Sequence, residues 1–427
     1  MTFQGPRAVW SMALAIGLAF LVLPLQAQTK SRPNLLLVSI DTLRADHLGC
    51  YGYKSIQTPH INQLAAEGVR FKTAVSQVPL TLPSHCTILT GTYPAYHGVR
   101  DNVGYKLPES KSTLAAILKT QGYQTAAFIG AYVLNSKFGL SRGFDHYDDK
   151  IPGSSRSGPV VNLNSVERRA GEVISRAANW MDAHPRSPFF VWIHLFDPHD
   201  PYDPPSPFGE QYKDRPYDGE IAYVDQELGK FLELLKQKRL YENTVVVLVS
   251  DHGESFGEHQ EWTHGYFIYD TTLLVPLIIK PVEKALAGRS VAEQVSLVDV
   301  VPTVLQLLDL PRPAELQGQG MLGLVLGKSR DWPGLAYCES YYPAQFGWSP
   351  LVGIRREDAK FIRAPKPELF NLRQDPGEQT NQILQQSTLA NELKATLSKL
   401  ESAYSDRAVD RTARAGLSIQ QLDKLRS

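Results

Sequence analysis

The 427-residue sequence predicts an α/β fold: a largely parallel central sheet flanked by helices, followed by a small C-terminal antiparallel α+β subdomain. Short apolar runs alternate with helical patterns from Asn34 onward, the signature of a sheet covered by helices on both faces. After about Leu335 the runs shorten around turn residues, as in antiparallel pairing. Ligand-type side chains gather at the carboxyl ends of three runs, where open α/β sheets keep their ligand crevice.

Taken in order, the strands are Asn34–Ile40, Thr125–Gly130, Phe189–Leu195, Thr244–Ser250 and Val275–Lys280, each too short for an ordinary helix. Val166, Ala170, Val173, Ile174, Ala177 and Met181 recur at three- and four-residue intervals, an amphipathic helix capped by Asn164. Asp218 to Gln237 reads the same way, with Ile221, Val224, Leu228, Phe231, Leu232 and Leu235 on one side. Further on, Leu351–Ile354 and Lys360–Arg363 flank the turn residues Glu357-Asp358, and Glu368–Leu372 precedes Asp375-Pro376-Gly377. A helix is expected near Leu389–Leu400. The resulting division is a catalytic domain over 30–335, a subdomain over 336–405 and a polar tail over 406–427.

Ahead of these elements, Val9 to Leu25 is almost uninterruptedly apolar, follows Arg7 and leads into Leu25-Gln26-Ala27. That order predicts a signal peptide over 1–27 and an exported, periplasmic or extracellular protein. Left uncleaved, the same run is nearly long enough to anchor the chain in a membrane. Lys+Arg and Asp+Glu both total 44, so the formal net charge is zero and the basic field that accompanies nucleic-acid binding is missing. No nucleic-acid partner is expected. Hydrophobic residues at 43% and charged ones at 21% exclude a largely disordered, collagen-like or multi-spanning chain. The three cysteines, Cys50, Cys86 and Cys338, support neither a zinc knuckle nor a disulfide framework.

The chemistry sits at the strand ends. Asn34–Ile40 runs into Asp41; Phe189–Leu195 carries His194 and continues to Asp197, His199 and Asp200; Thr244–Ser250 ends in Asp251-His252-Gly253-Glu254. Carboxylates and imidazoles converging from separate strands suit a divalent metal, which would offset the repulsion between Asp41 and Asp251.

These residues belong to an ordered series of motifs. Arg32-Pro33-Asn34 through Ser39-Ile40-Asp41-Thr42-Leu43-Arg44-Ala45-Asp46 is followed by Thr58-Pro59-His60-Ile61, Leu82-Pro83-Ser84-His85, Leu89-Thr90-Gly91-Thr92-Tyr93-Pro94 and His97-Gly98-Val99. His194-Leu195-Phe196-Asp197-Pro198-His199, Ser250-Asp251-His252-Gly253-Glu254, Gly257-Glu258-His259, Asp299-Val300-Val301-Pro302-Thr303 and Glu368-Leu369-Phe370-Asn371-Leu372 complete it. The series resembles the sulfatases of the alkaline phosphatase superfamily over nearly the whole chain beyond the leader. The resemblance implies an alkaline phosphatase-like fold and a metal held by Asp41, Asp251 and His252. It also implies a nucleophile, by alignment Thr81, where a loop enters a helix.

Two departures stand out. Sulfatases have Cys or Ser followed by x-Pro-x-Arg, the first residue being oxidised to formylglycine, whereas this chain has Thr81-Leu82-Pro83-Ser84-His85. Threonine cannot supply that aldehyde. Cys86, five positions on, does not replace it and reads as a buried small residue. A threonine hydroxyl beside a divalent metal is still a nucleophile for a phosphorus or sulfur centre, and the helix start near Ser84 would add backbone N–H groups for the anion. The second departure is Thr42, where many sulfatases place another metal-binding Asp. Its loss weakens the case for calcium and leaves calcium, manganese, zinc and magnesium open, held by Asp41, Thr81, Asp251 and His252.

His199 and His264 are expected to contact substrate, as stabilisers of the transferred anion or as proton donors to the leaving oxygen. With His194 and Asp197 the alternative is a second metal site. Arg44, Arg100 and Asn102 are further candidates for the anion, and no lysine motif is recognisable between Ala126 and Gly139. The expected function is an exported, metal-dependent hydrolase that transfers a sulfuryl or phosphoryl group from a small-molecule or glycan ester to Thr81 and then to water. Rivals are a phosphodiesterase or phosphonate hydrolase, a phosphoglycerol or phosphoethanolamine transferase, and a silent anion-binding module. The loops Gly153–Gly158 and Asp203–Pro216 are expected to wall the substrate.

Overall fold

Apolar runs buried on both faces build the centre of the sheet, and their register sets out the site. The computed structural model describes residues 1–5, 32–151, 167–183, 188–328 and 331–404. The signal segment beyond residue 5, the cap Asn164, the loop Gly153–Gly158 and the tail 406–427 lie outside the described residues. No helix among the described residues is long and apolar enough to cross a membrane.

From residue 32 onward the strands are β1 (Asn34–Ile40), β2 (Val69–Val75), β3 (Gln124–Phe128), β4 (His146–Asp148), β5 (Phe189–Leu195), β6 (Thr244–Ser250), β7 (Leu274–Lys280), β8 (Arg289–Val291) and β9 (Val295–Ser296). They lie in the order β4-β3-β5-β1-β6-β7-β2-β8, with β9 also on β2. The sheet is parallel from β4 to β6, while β7 runs against both β6 and β2. Alternate residues of β1 feed opposite cores: Leu35 and Leu37 face one helical layer, Leu36, Val38 and Ile40 the other. Ile40 lies opposite Leu195 on one side and Ser250 on the other, so three strand ends finish level. Asp41, the Asp197–His199 segment and Asp251-His252 therefore leave the sheet side by side.

Several boundaries differ from the sequence reading. β3 stops at Phe128 because Gly130 passes so close to β5 that an added Cβ would lie 3.0 Å from the Phe196 nitrogen and 3.1 Å from the His194 carbonyl. β2 escaped notice because only one of its faces is buried and a register shift between Phe71 and Ala74 breaks its alternation. The helix expected from Val166 is described over Ala170–Ala183, and its first amide is capped by Asp197, whose Oδ2 accepts from Ala170 N–H at 2.8 Å. The helix expected from Asp218 starts at Pro216, a proline suited to a first turn.

The C-terminal strands β10 (Leu335–Ser340), β11 (Leu351–Arg356), β12 (Ala359–Arg363) and β13 (Glu368–Asn371) form an antiparallel sheet in that order, one strand more than the turn pattern showed. The helix Ser387–Tyr404 closes it, packing Leu393 and Leu397 against Tyr337, Ile354 and Phe361. A buried ionic knot ties this sheet to the main core. Asp270 takes Arg355 Nη2 at 3.0 Å and Lys360 Nζ at 3.0 Å, and Lys360 also reaches Glu378 at 2.9 Å. Burial raises the Asp270 pKa, but Lys360 and Arg355 more than offset it and hold it down at about 2. Removing one partner of such a knot leaves uncompensated buried charge, so Lys360→Met is expected to destabilise the protein by about 3–5 kcal/mol. Urea unfolding measures this, and an unchanged midpoint would refute the tether.

Candidate active site and metal centre

Asp41, Asp251 and His252 each offer a ligand atom within 4.8 Å of the others, and all three are fully buried. His252 Nε2 stands 3.6 Å from Asp41 Oδ1 and 3.4 Å from Asp251 Oδ2. Its Nδ1 lies 3.0 Å from the Gly253 carbonyl, which can only accept, so the proton sits on Nδ1 and the Nε2 lone pair faces the carboxylates. Burial, followed by neighbouring His264, drives the His252 pKa well below the usual imidazole value, in keeping with a neutral ring.

Both carboxylate oxygens of Asp41 and Oδ2 of Asp251 are buried without a hydrogen-bond partner. Burial and then the charge of Asp41 push Asp251 well above the carboxylate range. Burial acts the same way on Asp41, but His194, His199 and His252 hold it below its ordinary value. Three orphaned acceptor oxygens and one imidazole lone pair in a dry cluster are a donor set for a divalent cation.

Thr81 is the first residue of the helix Thr81–Thr90, with its side chain buried and Oγ1 3.3 Å from His252 Nε2. The structure thus brings Thr81 to the Asp41, Asp251 and His252 cluster. At this helix start Leu82 N–H donates to Asn102 Oδ1 at 2.9 Å, Pro83 has no N–H, and Ser84 N–H bonds the Leu80 carbonyl at 3.1 Å, so these three positions offer no amide to an anion. Asn102 therefore fixes the start of the helix.

His85, where sulfatases have arginine, is fully buried under Thr81. Its Nδ1 meets the Thr81 carbonyl at 2.8 Å and its Nε2 the Ser39 hydroxyl at 2.9 Å, where Trp192 Nε1 also donates at 2.9 Å. Burial, then His194, lowers the His85 pKa to about 3, so the ring is neutral. His194 receives Gly130 N–H on Nδ1 at 3.3 Å and turns Nε2 toward Asp41 Oδ2 at 3.4 Å.

His264 packs on His252 with ring centres 4.3 Å apart, and His199 meets His264 edge-on at 5.2 Å. Both thus border the cluster. His264 Nδ1 donates to Glu254 Oε1 at 3.0 Å, and Tyr202 holds the other oxygen of Glu254 at 3.1 Å. Burial lowers the His264 pKa, but Glu254 more than offsets this and the net shift is upward. His199 stacks on Phe196 and gives its Nδ1 proton to the Asp200 carbonyl at 2.6 Å.

Asp197 is spent on the Ala170 helix start, and among the described residues no second group of three metal-type side chains is drawn together. Arg44 is paired with Asp46 at 2.7 Å and Glu258 at 2.8 Å; Arg100 is paired with Glu339 and lies over Tyr341. Both guanidinium charges are thus matched by carboxylates. Thr42 adopts φ 50° and gives its hydroxyl to the Pro198 carbonyl, so this position closes the loop after β1. Sequence reasoning missed the roles of His85, Ser39 and Glu254. For Glu254 a signal existed, its place in the Asp251-His252-Gly253-Glu254 run; for Ser39 there was none.

Comparison with known proteins gives the family and the fold. The family profile described as Sulfatase matches residues 33–310, and the profile described as N-sulphoglucosamine sulphohydrolase, C-terminal, matches residues 257–403. An arylsulfatase of Clostridium perfringens is 24% identical, with 82% of this chain and 90% of that relative aligned. An N-acetylglucosamine-6-O-sulfatase of Bacteroides thetaiotaomicron is 24% identical over 93% of this chain and 90% of its own length. Among solved structures, the phosphonate monoester hydrolase of Agrobacterium radiobacter superposes with a TM-score of 0.74 at 22% identity, covering 88% of this chain and 97% of that one. That likeness shows the alkaline phosphatase-like fold.

Proposed function

From the premise that this chain belongs to the sulfatase family, we propose that it hydrolyses a sulfate, phosphate or phosphonate ester with Thr81 as nucleophile. The observation that carries the reading is Thr81 Oγ1 at a helix start, 3.3 Å from His252 Nε2 and beside two buried carboxylates with three oxygens that have no hydrogen-bond partner. A divalent cation held by Asp41, Asp251, His252 and Thr81 would supply positive charge against the anionic ester and make the threonine hydroxyl more acidic.

The chain's own residues do the rest. Asn102 and His85 hold the first helical turn, so that Thr81 Oγ1 lines up with the sulfur or phosphorus. Thr81 forms the new S–O or P–O bond and releases its hydroxyl proton to solvent as the ester bond breaks, and the departing oxygen takes its proton from His264, oriented by Glu254. Water then attacks the same centre and gives one proton to the His264 imidazole, while the Thr81 oxygen departs and takes a proton back from solvent. Threonine has a single hydroxyl and cannot expel the transferred group as an aldehyde hydrate can. Resolution by water is ordinary for phosphorus, which favours phosphate or phosphonate esters over sulfates.

The test is a panel of aryl sulfates, phosphate monoesters, diesters and phosphonates, assayed with Ca²⁺, Mn²⁺, Zn²⁺ or Mg²⁺ restored after stripping. Turnover of no member, with cation still bound, would leave the silent anion-binding reading. Glu254→Gln is expected to lower kcat by about 10²-fold. The loss should be larger for alkyl than for nitrophenyl leaving groups, which need less protonation; equal loss across both would reject the proton-donor role of His264. The leader 1–27 supports export, and the domain division at about residue 335 follows the start of the antiparallel sheet.

A further inference from the structure

Two of the large apolar side chains left in water stand together near Leu80, the residue before Thr81. Trp348 is 60% exposed and Phe346 49%, and together with Tyr266 and Tyr342 they form a chain of ring contacts. Tyr266 lies 4.9 Å from Tyr342, 5.5 Å from Phe346 and 6.0 Å from Trp348, measured between ring centres.

Three attachments hold this chain against the site. Tyr266 follows His264 by two residues, and a Cβ on the intervening Gly265 would sit 3.2 Å from Leu80 Cδ2 and 3.3 Å from Tyr342 Cδ1. Leu80 immediately precedes Thr81. Ser340 donates its hydroxyl to the Gly265 carbonyl, just before the aromatic segment begins. Gln345 donates to both oxygens of Asp101 at 2.9 and 2.8 Å, next to the Asn102 that fixes the helix start. The rings are thus anchored at their base and open at their faces.

We propose that Tyr266, Tyr342, Phe346 and Trp348 form a stacking rim that grips the leaving group, and that this group is an alcohol carrying a ring. Aromatic faces gain from a flat π surface or from the C–H face of a sugar ring, and gain little from a short alkyl chain. Their exposure costs solubility and is unexplained by packing, whereas a ring laid across them would cover apolar surface on both partners. The inference rests on the proposed hydrolysis only for where the scissile bond lies.

The test measures binding in a Thr81→Ala background, where turnover does not interfere. Calorimetry compares phenyl sulfate and phenyl phosphate, the 6-sulfate and 6-phosphate of methyl glucoside, and ethyl sulfate and ethyl phosphate. At least one ring-bearing pair is expected to bind about tenfold more tightly than the ethyl pair. Adding Phe346→Ala and Trp348→Ala together should erase that advantage, while Leu384→Ala, an exposed apolar residue elsewhere, should leave it intact. Preference for phenyl or for glucoside separates a flat ring from a sugar. No ring advantage, or an advantage surviving the double substitution, overturns the rim. A ring advantage without turnover of any ester in the unsubstituted protein would instead overturn the hydrolase reading and leave the rim standing.

Discussion

Thr81→Ala is expected to lower kcat/KM by about 10⁴-fold or more on whichever ester the protein turns over, because the proposed nucleophile is gone. The fold should survive, and cation binding should weaken but persist on Asp41, Asp251 and His252. The lost hydroxyl has one contact, at 3.3 Å to His252, and a single buried hydrogen bond is worth about 1 kcal/mol. Thr81→Ser keeps the hydroxyl and should retain most of the rate. Intact-mass analysis after rapid acid quench adds an independent readout: a sulfuryl or phosphoryl increment on the unsubstituted chain and on Thr81→Ser, none on Thr81→Ala. Turnover that survives in Thr81→Ala would reject the assignment outright.

The second large effect concerns the cation. With both carboxylates of the cluster buried and repelling each other, stripping with a chelator should cost stability as well as activity. A ligand at a hundred times its Kd stabilises the native state by about 2.7 kcal/mol, so a drop of several degrees in Tm is expected, reversed by adding back the right ion. Asp251→Asn sharpens the test because its sign changes with conditions. Without cation it removes a buried repulsion and should melt no lower than the parent; with cation it loses a ligand and should melt lower and be inactive. A parent Tm indifferent to chelator and to every divalent ion tried would refute the metal centre.

What was legible in the sequence follows from how each feature is encoded. β1, β5 and β6 were readable to the residue because strands buried on both faces are continuous apolar runs, and their level ends delivered Asp41, Asp251 and His252 together. β2 was not, since a half-buried strand with Arg70 and Lys72 on it and a register shift carries no such run. Thr81 was found by its neighbours in the motif series. Arg100 shows the opposite case: a basic residue next to the motifs looked available, and only the fold brings Glu339, 239 positions away, to neutralise it. Glu254 sat inside a motif that was read for its metal ligands, so its bond to His264 was invisible until both loops were in place.

One small feature has a sense of direction. The Thr81 carbonyl can only accept, so His85 carries its proton on Nδ1, its neutral Nε2 accepts from the Ser39 hydroxyl, and the oxygen of that hydroxyl accepts in turn from Trp192 Nε1. The relay from β5 through β1 to the helix is one-way, and a single tautomer of His85 is permitted. A backbone carbonyl of the first helical residue thereby sets the direction of every bond behind it, back to a tryptophan in β5, and Ser39→Ala would leave Trp192 Nε1–H and His85 Nε2 without these partners.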